Sequence, residues 1–167
     1  MQYYLKSENG PQCFFSVLDH SGNIVYRVTG TYTVLSCRLV LQTEVGVNAA
    51  HMQGVCLSDT YRFLISSGVR RIRVSIRPQA SPRRAVQFKG INWHFRGSLS
   101  THSFDILSGS PHATQQTVMT HARCWNVHGD CYAVTIARTE DVPLALCAAV
   151  AADLAIVRSC GAPVPVG

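Results

Sequence analysis

Arginine and lysine side chains concentrate in one segment of this 167-residue chain. No acidic residue lies between Asp59 and Asp105, whereas nine of the fifteen basic residues do. Guanidinium groups bind phosphate oxygens in a bidentate manner, and ammonium groups bind them as point charges. The segment therefore predicts a binding surface for anionic phospholipid head groups or other phosphate ligands. The candidate binding residues are Arg70, Arg71, Arg73, Arg77, Arg84, Lys89 and Arg96.

The phase of the basic residues within the segment supports this prediction. In 69-VRRIRVSI-76, Arg71 and Arg73 alternate with apolar residues, and Arg77 continues their phase. Alternation at period two is typical of a half-buried strand, so these cations are expected on its outer face. The alternative is a solvated sheet face without a ligand.

The aromatic residues of the same segment limit the kind of partner. Phe88, Trp93 and Phe95 fall on the apolar phase, whereas grooves for single-stranded nucleic acid expose aromatic rings for stacking. We therefore predict no sequence-specific nucleic acid partner. An anionic membrane surface or a phosphoinositide-like ligand fits better, and a protein partner bound by the outer strands is the alternative.

The segment 121-HARCWNVHGDC-131 contains the best candidate metal ligands. His121, Cys124, His128 and Cys131 have spacings that zinc ligands sometimes use. In a hairpin Cys124 and Cys131 lie opposite one another, but His121 is expected on the other face. We predict structural thiols here, with no metal and no cofactor. The seven cysteines, an odd number without a CxxC pair, predict reduced thiols and a cytoplasmic location.

The chain carries none of the common catalytic motifs. It has no HExxH, GxSxG, Walker-type or GxGxxG sequence, and only nine acidic residues. Asp153 lies within an apolar run, where a carboxylate is usually buried with a hydrogen-bonding partner. The prediction is a structural role for Asp153, no catalytic residue, and a protein that is not an enzyme.

Alternating runs between residues 2 and 137 predict about ten to twelve short antiparallel strands, arranged as a sandwich or a barrel. Turn glycines recur about every twenty residues along this region, at Gly22, Gly46, Gly68, Gly90, Gly109 and Gly129. The chain is 47% hydrophobic and 14% charged, which favours a compact fold. We predict one domain over residues 1–157 and a flexible tail over 158–167.

The run 142-VPLALCAAVAADLAIV-157 is apolar on every side and rich in Ala and Leu, which predicts a helix that begins after Asp141. It is shorter than the roughly 20 residues that a membrane span requires, and it contains Asp153. A helix that is hydrophobic all round must be buried in lipid or in protein. Each predicted strand has one apolar face, and these faces together can bury the helix. We therefore predict no transmembrane span and a helix inside the β-structure.

Three segments together resemble the LURP-one-related proteins. They are 14-FFSVLDHSGNIVYRVTG-30, 89-KGINWHFRGSLSTHSFDIL-107 and 132-YAVTIARTEDVPLALCAAVAADLAIV-157. These proteins belong to a superfamily with tubby C-terminal-like domains and phospholipid scramblases. The resemblance implies a mainly β fold, a closed antiparallel barrel of about twelve strands around a central hydrophobic C-terminal helix. By analogy it also implies lipid binding through basic residues, but the acidic segment and terminal membrane span of scramblases are missing.

Overall fold

Twelve strands and a long C-terminal helix make up the computed structural model, which describes residues 1–8, 10, 13–127 and 129–159. The predicted tail from 160 onward and His128 lie outside these residues. The strands are β1 (Gln2–Ser7), β2 (Cys13–Leu18), β3 (Ile24–Tyr32), β4 (Ser36–Thr43), β5 (Asn48–Leu57), β6 (Thr60–Ser67), β7 (Arg70–Ile76), β8 (Val86–Lys89), β9 (Trp93–Ser98), β10 (Ser103–Ser108), β11 (Gln116–Asn126) and β12 (Gly129–Ile136). The helices are α1 (Pro82–Ala85) and α2 (Val142–Ser159), and a 3-10 turn (Thr139–Asp141) leads into α2.

Each strand pairs antiparallel with its neighbours in sequence, and β1 also pairs with β12. The sheet is therefore a closed barrel, so the sandwich alternative is wrong. Closure leaves no unpaired strand edge. Of the two ends, the upper end carries the β3–β4, β5–β6, β7–β8, β9–β10 and β11–β12 connections. The lower end carries the β2–β3, β4–β5, β6–β7, β8–β9 and β10–β11 connections and the entry to α2.

The helix α2 fills the barrel. Leu144, Leu146, Ala149 and Val150 are fully buried, as are most residues of its 18-residue length, which spans about 27 Å. The side chains that point inward from the strands surround α2, for example Ile65 on β6 and Ile72 on β7. The prediction of a central apolar helix is confirmed, and the helix extends two residues beyond the predicted Val157.

No helix in the described part of the chain combines the length and the apolar character that a bilayer crossing requires. The abundant alanines of α2 have another use. Small side chains let strands on all sides approach the helix closely.

Glycine occupies the tight connections between strands. All six glycines of the predicted period have positive φ values, from 56° to 114°. Within a strand, Gly30 has φ 137°, and a Cβ atom there would collide with the carbonyl oxygen of Arg38. This close approach joins β3 to β4 at the edge of the surface described next.

Candidate anion-binding groove

Basic residues from four of the five consecutive strands β4 to β8 meet on the outer face of the barrel. Register places Arg38, Gln53, Leu64, Arg73 and Lys89 side by side on β4 to β8. A second row of register partners lies two residues along each strand, nearer the upper end. It consists of Ser36, Val55, Arg62, Ser75 and Gln87. Together with Thr60 and Arg77 these residues line an open groove of about 630 Å³, the basic groove.

Strand alternation puts the cations outside the barrel. On β7, Arg71 and Arg73 are exposed while Ile72 and Val74 are buried. On β4, Arg38 is exposed between two buried neighbours. The packing of the apolar phase against α2 thus fixes the orientation of the arginines, because a side chain cannot change faces without a shift of register.

Five cations belong to the basic groove: Arg38, Arg62, Arg73, Arg77 and Lys89. Within the described residues, none of them has a carboxylate oxygen within 4.0 Å, although four other arginines of the chain do. Arg77 donates a hydrogen bond from Nε to Thr60 Oγ1 at 3.1 Å, and that hydroxyl donates to Asp59. The basic groove therefore carries uncompensated positive charge.

The spacing of these cations suits a phosphate. Arg73 and Lys89 are register partners, so their Cβ atoms lie about 5 Å apart, and Arg62 is a diagonal neighbour of Arg73 at about 7 to 8 Å. Like charges this close repel one another and destabilise the sheet. A bound anion with several oxygens would remove that repulsion and accept hydrogen bonds from two or three strands.

The structure separates the seven predicted binding residues into three groups. Arg73, Arg77 and Lys89 line the basic groove, while Arg71 and Arg84 are exposed outside its lining. The other two are engaged elsewhere: Arg70 forms an ion pair with Asp141 at 2.7 Å and donates to the Glu140 carbonyl, and Arg96 pairs with Asp105 at 2.7 Å. The role of these residues in binding stays a prediction.

Sequence reasoning missed two cations of the basic groove, Arg38 and Arg62. Arg38 lies outside the acid-free segment, and Arg62 lies inside it but was not selected. The alternation in 36-SCRLVLQT-43 and 60-TYRFLIS-66 signals that both point outward. Only the register of the closed sheet shows that they face the same groove as Arg73.

Exposed aliphatic side chains adjoin the basic groove at its β4–β5 edge. Val34 and Leu35 at the β3–β4 connection are 83% and 70% exposed, and Val55 and Leu57 on β5 are 46% and 56% exposed. The Cys56 amide donates to the Leu35 carbonyl at 2.9 Å, which holds the connection against β5. These four residues form the apolar rim, at the upper end of the barrel.

A second polar cluster lies inside the barrel, around Asp153 of α2. Its carboxylate oxygens lie 3.4 Å from His121 Nε2 and 3.6 Å from His102 Nδ1. Tyr132 stacks against both imidazole rings, and burial, followed by the charge of Asp153, raises the pKa of Tyr132 to about 12. The buried carboxylate is therefore paired with His121 of β11, whereas its second contact, between Asp153 Oδ1 and His102 Nδ1 of the β9–β10 connection, is longer than a hydrogen bond.

The hydrogen bonds around His121 assign its protons. His121 Nδ1 lies 3.0 Å from the carbonyl oxygen of His102, which can only accept, so Nδ1 carries a hydrogen. Nε2 then faces a carboxylate oxygen of Asp153, and that contact is attractive only when one proton lies between the two atoms. The cluster thus joins α2 to β11 through Asp153 and His121, and β11 to the β9–β10 connection through His121 and the His102 carbonyl.

We expect Asp153→Ala to lower the free energy of unfolding by about 1 to 3 kcal/mol, because it leaves His121 Nε2 buried without a partner. Asp153→Asn should cost less, since its amide can donate to the unprotonated Nε2. Urea unfolding followed by circular dichroism measures both variants. Equal losses for Ala and Asn would contradict the hydrogen-bonding role.

Of the four candidate metal ligands, the three that the structure describes do not lie on one face of the sheet. His121 is inside the barrel, whereas the register pair Cys124 and Cys131 belongs to the opposite strand phase. Among the residues that the structure describes, no three His, Cys, Asp or Glu side chains form a group that could hold a metal ion. His128 lies outside those residues.

Comparisons with known proteins agree on the fold. The family model described as LURP-one-related matches residues 6–153. A crystal structure of an Arabidopsis thaliana protein superposes with a TM-score of 0.54 at 13% identity, covering 92% of this chain and 90% of that chain. At this identity the likeness shows the fold alone. No curated protein is significantly similar to the chain in sequence.

Proposed function

Since the chain belongs to the LURP-one-related family, and its barrel carries a groove of unpaired cations, we propose that it is a non-enzymatic module that binds anionic phospholipids. The phosphate groups occupy the basic groove, and the apolar rim enters the adjoining lipid. The observation that carries the proposal is the convergence of five cations, from β4, β6, β8 and from β7 with the residue after it, beside exposed aliphatic residues. Among the described residues, none of the five has a carboxylate partner.

Repulsion between the unpaired cations destabilises the folded sheet, and a bound anion would offset this repulsion. Neighbouring cations on one sheet face repel each other, whereas three arginines elsewhere, Arg70, Arg96 and Arg123, pair with Asp141, Asp105 and Asp130. Each Lys or Arg near an anionic bilayer contributes about 1 kcal/mol of attraction. Five such residues on one face therefore supply enough attraction for reversible binding at the surface.

The apolar rim favours a lipid over a free phosphate compound. Val34 and Leu35 are largely exposed at a connection between strands, where they stabilise nothing in the core. A soluble inositol phosphate offers no apolar surface to cover them, whereas a bilayer offers acyl chains directly beneath its phosphates. With the basic groove on the phosphates, the upper end of the barrel faces the membrane.

Vesicle cosedimentation tests the proposal. The full chain is mixed with vesicles of phosphatidylcholine alone, or with added phosphatidylserine or phosphatidylinositol bisphosphate, at low and high salt. We expect binding to the anionic vesicles only, weakened by salt. Absence of salt-sensitive binding to them would refute the lipid proposal. Calorimetric titration with inositol hexakisphosphate forms a separate arm, and binding there alone would instead assign the groove to soluble phosphates.

The apolar rim can be tested with a matched pair of valines. Val34 in the rim and Val45 at the lower end are both 83% exposed. We expect Val34→Asp to weaken vesicle binding about 10-fold, because it removes the transfer of one aliphatic side chain, worth about 1.5 kcal/mol, into lipid. Val45→Asp adds the same charge and should have a much smaller effect.

Inositol hexakisphosphate provides the control for the groove itself. Val34→Asp should leave this binding almost unchanged, because its side chain does not line the basic groove. If Val34→Asp and Val45→Asp weaken vesicle binding equally, the orientation proposed for the barrel is wrong. If neither vesicles nor soluble phosphates bind, a protein partner on the outer strands becomes the better explanation of the surface.

A further inference from the structure

Two cysteines face each other at the upper end of the β11–β12 hairpin. Cys124 and Cys131 are direct register partners, and their sulfur atoms lie 3.1 Å apart. The other strand cysteines with described partners face different residue types: Cys13 pairs with Thr29, Cys37 with Gly54 and Cys56 with Tyr61. The juxtaposition is therefore a specific feature of this hairpin.

The backbone around this pair already has the geometry of a disulfide. Directly opposed residues of antiparallel strands have Cα atoms about 4.5 to 5.5 Å apart, within the range of roughly 4.4 to 6.8 Å that disulfides span. The sulfur atoms need to approach by only about 1 Å to reach the usual bond length of about 2.05 Å. Small side-chain rotations are sufficient for this approach.

We propose that Cys124 and Cys131 form a reversible modification site, a dithiol that a small disulfide such as glutathione disulfide oxidises to an intrachain disulfide. The thiolate of Cys124 attacks glutathione disulfide and releases one glutathione. The thiolate of Cys131 then attacks the Cys124 sulfur of the mixed disulfide and releases the second. Two protein thiols are oxidised, one glutathione disulfide is reduced to two glutathione thiols, and the two protons lost by the cysteines end on those thiols.

Exposure determines the order of the two steps. Cys124 is half-buried while Cys131 is 3% exposed, so the oxidant reaches Cys124 first. Burial, and then the hydrogen bond and charge of Cys124, raise the pKa of the Cys131 thiol to about 12, with Asp130 adding to the shift and Lys6 opposing it. In the mixed disulfide Cys124 carries neither a thiol hydrogen nor a charge, but the burial of Cys131 and the charge of Asp130 remain, so the thiolate fraction of Cys131 limits the second step. The short distance between the two sulfur atoms favours the attack.

The disulfide would close the exposed tip of the hairpin. Trp125 and Val127 lie between the two cysteines and are 80% and 94% exposed. The other tryptophan of the chain, Trp93, is buried. In a reducing compartment the pair stays a dithiol, so oxidation marks a change in redox conditions rather than a permanent structural bond.

Peptide mass spectrometry tests the site directly. Trypsin releases both cysteines in one peptide, 124-CWNVHGDCYAVTIAR-138, because cleavage sites follow Arg123 and Arg138. The full chain is reduced, desalted, incubated with glutathione disulfide, alkylated and digested. We expect this peptide to lose two hydrogens and to resist alkylation, and dithiothreitol to reverse both changes. Wild-type protein with an unchanged peptide, or with a stable glutathione adduct on Cys124, would overturn the proposal.

Two serine variants and a pH series complete the test. Cys124→Ser should abolish the loss of two hydrogens, whereas Cys56→Ser should leave it intact. The oxidation rate should rise about 10-fold per pH unit between about pH 7 and 9, since deprotonation of Cys131 limits it. A rate independent of pH, or a disulfide in the Cys124→Ser peptide, would contradict the mechanism.

Discussion

Ala149→Arg is expected to yield no folded protein. Ala149 is fully buried in α2, at the centre of a barrel whose wall surrounds the helix on all sides. An arginine there must bury its guanidinium, with a penalty of several kcal/mol, and must also displace packed side chains at about 1 to 3 kcal/mol. Together these costs approach or exceed the total stability of a domain, about 5 to 15 kcal/mol.

Circular dichroism and size-exclusion chromatography of the purified variant measure this outcome. Ala122→Arg is the matched control, since Ala122 is exposed on β11 and the same substitution there buries nothing. We expect the control to remain folded and to elute at the volume of the unmodified protein. A folded, monomeric Ala149→Arg protein would mean that α2 is not the core of the barrel in solution.

Arg62→Glu combined with Arg73→Glu is expected to weaken binding to anionic vesicles by roughly 1000-fold. The two residues are diagonal neighbours on β6 and β7, at the centre of the basic groove. Reversing both changes the local charge by four units, at about 1 kcal/mol per unit near an anionic surface. The total of about 4 kcal/mol corresponds to three orders of magnitude in the dissociation constant.

A control with the same net charge separates the basic groove from general electrostatic attraction. Arg27 on β3 and Arg138 before the 3-10 turn are exposed and do not line the groove. Arg27→Glu with Arg138→Glu should weaken vesicle binding far less. Equal effects of the two double variants would show that the net charge of +6, rather than a site, attracts the vesicles.

Local patterns were sufficient to predict the β-strands, the helix and its burial. Alternation along 69-VRRIRVSI-76 gives the faces of a strand without reference to any other strand. The apolar run from Val142 must be buried, and the preceding strands provide the apolar faces that can bury it. The resemblance to the LURP-one-related proteins selected a barrel over a sandwich, and the family match and the structure confirm that choice.

The members of the candidate site could not be derived in the same way. Arg70 and Arg73 lie three residues apart in one acid-free segment, yet Arg70 is neutralised by Asp141 from the far end of the chain. Arg38 joins Arg73 across three strand boundaries. An acid-free segment shows which cations lack acidic neighbours in sequence, but ion pairs form between residues that are close in space.

The sequence by itself determined whether each cation faces the core or the solvent. Successive side chains of a strand point to opposite faces, and the apolar ones must face the core, so the cations between them point outward. Only the tertiary structure decided which cations share a groove, which have carboxylate partners, and that Cys124 touches Cys131 while His121 turns inward to Asp153. The physical reason is register. It is set by closure of the whole barrel around α2, and no single strand contains that information.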